Sequence, residues 1–249
     1  RERRRRVERR ADAAAPRRHG GPAMTRGLFV TATGTDCGKT WLGRGLARAL
    51  RSRGLRVAAL KPLETGVTDV ARDATALALA AGDAQLATVG VRLRAPLSPL
   101  AAALAERRVL PTAAQLASMV HHHVRGHDVA IVEGAGGLLV PLDETSSIAE
   151  LAAEVGFPLV LVGRDALGTL SHVLTAWESA VQRRLVVRAV VLTRGPWSDG
   201  DTSTETNRSI LAARVSAPVV TFAASRDDDD ALALEAQGLL GTLFPGLVP

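Results

Sequence analysis

The sequence predicts an α/β fold: a doubly wound, mostly parallel sheet with helices on both faces, in one domain. Three observations carry that expectation. Short apolar runs recur along the chain without polar alternation, so they read as strands buried on both faces. Helix-length stretches separate most of them, the pattern of parallel strands joined by crossovers. Polar and glycine-rich motifs follow the runs, as expected of a sheet that binds ligands at the carboxyl ends of its strands.

The elements follow in order. A first run at 28–31 leads through a Gly- and Thr-rich turn into an amphipathic helix, and a second at 57–60 stops at Lys61-Pro62. The Ala-rich stretch 73–125 is expected to hold two or three helices, broken at Ala95-Pro96-Leu97-Ser98-Pro99, with a weak strand candidate at 89–91. A third run, 129–132, ends at Glu133-Gly134, a fourth covers 159–162, and a helix opens at Leu167-Gly168-Thr169-Leu170-Ser171. Runs at 186–192 and 219–222 complete the set, and the acidic cluster 227–230 reads as a solvated loop and helix start. His121, His122 and His123 are adjacent, so on a helix they splay and cannot chelate one ion together.

Composition narrows the function classes. No uninterrupted apolar stretch is long enough to cross a bilayer, and the single Cys37 cannot form an internal disulfide, so a cytoplasmic protein without a membrane partner is expected. The net charge of +6 resides in residues 1–23, where nine Arg face only Glu2, Glu8 and Asp12. Residues 1–23 are expected to be a disordered leader, before a domain covering 24–249 that opens at Met24. The rest of the chain is balanced, so a nucleic-acid partner is not expected; a basic tail that touches nucleic acid or membrane is the alternative reading of the leader.

Against 29 Arg stand only two lysines, Lys39 and Lys61, and each lies in a motif. Ala32-Thr33-Gly34-Thr35-Asp36-Cys37-Gly38-Lys39-Thr40 sits between a buried strand and a helix, where a phosphate-cradling loop belongs. Its strict pattern asks for glycine where this chain has Thr33. Thr35, Asp36, Cys37, Gly38, Lys39 and Thr40 are the nucleotide-binding candidates, with the Lys39 charge on outer phosphates and the Thr40 hydroxyl toward Mg²⁺. That loop makes the expected architecture a P-loop NTPase-type domain; the plainer reading is an ordinary strand-to-helix turn. Lys61 ends a strand near this loop, where it can stabilise developing charge, or it is a surface lysine. Glu133-Gly134-Ala135-Gly136-Gly137 puts an acid at a strand tip, with glycines that let backbone approach a ligand. Asp73 by itself reads as a helix N-terminal residue.

From about residue 27 the chain resembles dethiobiotin synthase, densely to residue 171 and thinly beyond. The lengthened phosphate loop Gly-x5-Gly-Lys-Thr is matched except for Ala32 at its first glycine; Lys61-Pro62-Leu63-Glu64-Thr65-Gly66 matches a second signature, and 133–137 a third in full. The resemblance implies an ATP- and Mg²⁺-dependent cyclo-ligase of biotin biosynthesis that acts on 7,8-diaminopelargonate, CO₂ and ATP, as a homodimer. It implies catalytic roles for Lys39, Lys61 and Thr35, and Mg²⁺ ligation by Thr40, Asp73 and Glu133. Substrate contacts are implied at Lys61, Thr65, Gly136 and Gly137, and at Gly168, Thr169 and Ser171 from the neighbouring subunit. Ala95-Pro96-Leu97-Ser98-Pro99 resembles a loop near the family's site. Thr193 stands where many members read the base with Asn, so it is expected to meet the base with looser preference. The family's Ile-Pro segment after the last strand is replaced by Val220-Thr221-Phe222-Ala223. The alternative is a related P-loop ATPase that acts as a positioning or partition switch, but its signature lysine early in the loop is absent here: Gly34 and Thr35 occupy that region.

Overall fold

The computed structural model describes residues 26–223 and 228–247; the expected leader, Met24 and Asp227 lie outside the described residues. In chain order, the first half comprises β1 (Arg26–Ala32), α1 (Lys39–Arg51), β2 (Val57–Leu60), β3 (Leu63–Glu64), α2 (Arg72–Ala81), β4 (Val91–Arg92), α3 (Pro99–Ala105) and α4 (Ala113–Val124). The second comprises β5 (Val129–Glu133), α5 (Ile148–Val155), β6 (Leu159–Arg164), α6 (Thr169–Gln182), β7 (Val187–Arg194), α7 (Asn207–Ala212), β8 (Val219–Ala223), α8 (Asp229–Gln237) and α9 (Leu240–Leu243). All six expected runs are strands of one sheet, ordered β2-β5-β1-β6-β7-β8 and parallel throughout.

The sheet is buried on both sides, which is why its strands are apolar without alternation. Along β1, Leu28, Val30 and Ala32 join one core with α1, α8 and α9, while Phe29 joins the other with α4 and α5. Farther across the sheet, α6 and α7 cover Val190 and Leu192 of β7. Gly45 of α1 explains how closely α8 docks: a Cβ there would lie 2.5 Å from the Leu232 carbonyl oxygen. Arg48 pairs with Asp230 at 2.8 Å beside an Arg44–Asp229 ion pair, so the acidic start of α8 anchors that helix.

β1 lies inside the sheet, with β5 on one side and β6 on the other. The order therefore reverses beside β1, and the crevice at its carboxyl end is the topological switch point where such sheets bind ligands. Register does the rest. Val30 pairs with Glu133 and Leu60 with Val132, so Glu133 and the residue after Leu60, Lys61, lie side by side beneath the 32–40 loop.

Three details differ from, or sharpen, the sequence reading. The Ala-rich stretch holds three helices, α2, α3 and α4, with the expected break before Pro99. The weak strand near 89–91 is β4, which pairs with β3 in a separate two-stranded sheet rather than joining the main one. Gly90 makes that pairing possible, because a Cβ there would stand 2.3 Å from the Pro62 carbonyl oxygen. The fifth run extends to Arg194, which draws Thr193 into the buried strand.

Candidate active site

The 32–40 loop turns sharply into α1. Asp36 and Gly38 both take positive φ, 53° and 83°, and Gly38 precedes the helix without a side-chain cap. The first N–H groups of α1 are thereby left for water or an anion, in the favourable field of the helix N-terminus. Lys39 folds back so that Nζ donates to the Gly34 carbonyl at 3.0 Å. Gly137 packs against the loop's start: a Cβ there would lie 3.1 Å from the Ala32 carbonyl oxygen. Gly136, at φ 67°, lines the cavity beside it.

That cavity has a volume of about 880 Å³, and Lys39, Thr40, Lys61, Asp73 and Glu133 all line it. Thr40, Lys61, Asp73 and Glu133 form one hydrogen-bonded network. The Thr40 hydroxyl donates to Glu133 Oε1 at 3.0 Å, and Lys61 Nζ donates to the same oxygen at 2.8 Å and to Asp73 Oδ2 at 2.5 Å. Two ammonium groups thus face two carboxylates in a largely buried setting. Burial pulls the Lys39 ammonium below the ordinary lysine value, and nearby Lys61 adds to that pull against the opposing effect of Glu133. Burial acts on Lys61 in the same direction, but there the charges and hydrogen bonds of Glu133 and Asp73 outweigh it and hold Lys61 above its ordinary value.

The other expected residues divide between two places. Thr35, Asp36, Cys37 and Gly38 line the cavity with Thr65, as does the segment Pro96-Leu97-Ser98-Pro99. Docking of the Thr65 region on that segment is direct: Gly66 N donates to the Ala95 carbonyl at 3.1 Å and Val67 N to the Leu93 carbonyl at 2.9 Å. Gly168, Thr169 and Ser171 lie at the start of α6, outside this cavity. Thr169 lines a second cavity of about 340 Å³, which shares Thr35 and Cys37 with the first.

Thr193, expected at the base, is fully buried beneath the loop, where its hydroxyl donates to the Cys37 carbonyl at 2.8 Å, with the Gly163 carbonyl at 3.2 Å. Its methyl packs so closely that a Cβ on Gly38 would lie 2.9 Å from it. One hydroxyl proton engaged inside the fold is not available to a ligand. Arg164 holds the neighbouring Asp36 carbonyl at 2.9 Å while its guanidinium lies over Trp197, which stacks on Trp41 at 5.3 Å. Arg164 and Trp197 were not legible as site residues, because they come from the end of β6 and from the turn after β7.

Glu64 was missed for a different reason. It is buried, lines the cavity, and accepts from Asp73 N and Ala74 N at 3.0 Å each. The available signal was a missing one: α2 begins after Ala71, which cannot cap a helix, so its first donors need an acceptor from elsewhere.

A hard divalent cation suits the donors present. Oε2 of Glu133 is buried without a hydrogen-bond partner, and the Thr40 hydroxyl and Asp73 carboxylate are oxygen donors in the same network. Among the described residues no group of three or more His, Cys, Asp or Glu could hold a metal. A cation here would therefore need phosphate oxygens and water to complete its shell, the usual state of nucleotide-bound Mg²⁺.

Comparison with known proteins identifies the family. A family model described as an AAA domain matches residues 26–224. The chain is 40% identical over 178 residues to the ATP-dependent dethiobiotin synthetase BioD of Anaeromyxobacter dehalogenans, covering 70% of this chain and 79% of that protein. It is 34% identical over 214 residues to the synthetase of the same name from Mycolicibacterium vanbaalenii, covering 84% of this chain and 94% of the other. Among solved structures, chloroplast FtsY from Physcomitrella patens superposes with a TM-score of 0.51 at 19% identity, over 90% of this chain and 67% of that one, a likeness of fold alone. With the family model spanning the whole sheet and relatives matched over most of their length, the chain belongs to the ATP-dependent dethiobiotin synthetase family.

Proposed function

We propose that the chain closes a ureido ring on 7,8-diaminopelargonate, using CO₂ and ATP, in biotin biosynthesis. The observation that carries this reading is the convergence of Lys39, Lys61, Asp73 and Glu133 with the phosphate loop on one cavity. One substrate amine takes up CO₂ as a carbamate and loses a proton. A carbamate oxygen attacks the γ-phosphorus of ATP and ADP leaves. The second amine then attacks the carbonyl carbon of the mixed anhydride and gives up a proton, phosphate departs, and the ring closes.

The chain's own groups position and neutralise. Lys39, partly desolvated, meets the outer phosphates, and Lys61 meets the carbamate and the transferred phosphoryl group. Thr35, at the rim shared by the two cavities, belongs with them, and Asp36, Cys37, Gly38 and Thr40 frame the nucleotide. Thr40, Asp73 and Glu133 would hold Mg²⁺, which when bound supplies charge neutralisation at the phosphates. Thr65, Gly136 and Gly137 border the diamine. The aliphatic tail ends in a carboxylate, and the start of α6, with Gly168, Thr169 and Ser171 supplied by the partner of a homodimer, offers N–H donors for it. No covalent enzyme intermediate is needed, so rate comes from proximity and charge.

The test is direct. The full chain, incubated with diaminopelargonate, bicarbonate, Mg²⁺ and ATP, should give the ureido product by mass together with ADP and phosphate. ATP binding without that product would reject the synthetase reaction and return the chain to the partition-switch alternative. The reaction uses small soluble substrates and needs neither nucleic acid nor membrane, which fits a cytoplasmic enzyme. Among the described residues no helix is long and apolar enough to cross a membrane.

A further inference from the structure

Glu64 lies two residues beyond Pro62 and has no place in the chemistry proposed above. Its backbone is fixed by β3: Leu93 N donates to the Glu64 carbonyl at 3.0 Å, and Glu64 pairs in register with Arg92. Its side chain leaves that small sheet and spans to the first turn of α2. One carboxylate oxygen, Oε1, accepts from Asp73 N and the other, Oε2, from Ala74 N, both at 3.0 Å. Both donors belong to the set that a helix start leaves unsatisfied, and Ala71 before them supplies no side-chain acceptor. The carboxylate also sits at the positive end of the helix.

We propose that Glu64 is a positioning residue that sets Asp73 for the divalent cation. The contacts form a closed ring. Lys61 and Glu64 belong to one short segment, Glu64 grips the backbone of Asp73, and the Asp73 carboxylate returns to Lys61 Nζ at 2.5 Å. A cap placed locally at residue 71 would hold α2 together equally well, but it would not tie Asp73 to the strand end that carries Lys61. Glu64 does both, because its acceptors reach the helix from another element. Supporting groups behind a metal ligand typically change metal affinity or activity about 10- to 100-fold when altered.

The inference rests on the reading of Asp73 as a cation ligand, and its test separates the two. The full chain is titrated with Mn²⁺ in the presence of ADP, with bound cation followed by electron paramagnetic resonance, and with ADP alone by calorimetry. Glu64→Gln keeps the shape but replaces one acceptor by a donor that faces an N–H. It should weaken Mn²⁺ about tenfold or more, and leave metal-free ADP affinity within threefold of wild type. Ala71→Ser added to Glu64→Gln restores an ordinary helix cap. It should recover melting temperature without recovering Mn²⁺ affinity. Wild-type Mn²⁺ affinity in Glu64→Gln, or its full return with Ala71→Ser, would overturn the positioning role and leave Glu64 as a helix cap. Failure of the wild-type chain itself to bind Mn²⁺ with ADP would instead overturn the cation-site reading, and the inference with it.

Discussion

Lys61 Nζ lies 2.8 Å from Glu133 Oε1, an ion pair between the ends of neighbouring strands with both side chains buried. Adjacent register places the charges together, and burial makes each dependent on the other. Removing one partner from such a pair costs about 3–5 kcal/mol, because the remaining charge is left in a poorly solvated site. Glu133→Leu should therefore lower unfolding free energy in urea by that order, softened by the Asp73 contact that Lys61 retains. The double variant Lys61→Met/Glu133→Leu should recover most of the loss while remaining inactive. Additive losses would show that the pair is not coupled.

Lys39 presents the opposite balance. Its ammonium is buried mainly at a desolvation penalty and lies in the field of Lys61, so in the ligand-free chain it works against stability. Lys39→Met should reduce turnover on the order of 10²-fold or more, through loss of charge at the phosphates. It should leave the melting temperature unchanged or raise it. A clear fall in melting temperature would mean that the bond to Gly34 outweighs the desolvation it accompanies.

Thr193→Val tests whether that residue supports the loop or reads the base. The change keeps the shape against Gly38 but leaves the buried Cys37 carbonyl without its donor, a loss on the order of 1–3 kcal/mol. Nucleotide affinity should fall alike for ATP, GTP and CTP, with their ratios preserved within about twofold, the margin of a group that supports the loop without touching the base. A change in the ratios would return Thr193 to base recognition.

Gly168 sits at φ 92°, where a β-branched residue is strained. Gly168→Val should raise KM for diaminopelargonate about tenfold, the order of one or two lost hydrogen bonds, while KM for ATP stays nearly constant. Mixing this variant with Lys39→Ala tests the two-subunit site. Random exchange makes half the dimers mixed, each with one intact site, so activity at low diamine should return to about a quarter of wild type. No recovery after subunit exchange would refute a site shared across the dimer.

The sequence by itself determined the sheet and the identity of the chemical groups. Short apolar runs without alternation, bounded by Gly, Pro or polar clusters, read as buried strands, and the Gly-Lys-Thr turn, the strand-end Lys61 and the strand-end Glu133 are local patterns, each complete within a few residues. Only the tertiary structure decided how those groups meet. The parallel register of β2, β5 and β1 brings Lys61 against Glu133, and the crossover through α2 carries Asp73 to them. The roles of Glu64 and Arg164, and the way Thr193 engages the Cys37 carbonyl, all depend on hydrogen bonds to backbone outside each residue's own element. Backbone donors and acceptors are the same at every residue, so no sequence pattern marks which of them a side chain will reach until the fold sets the distance.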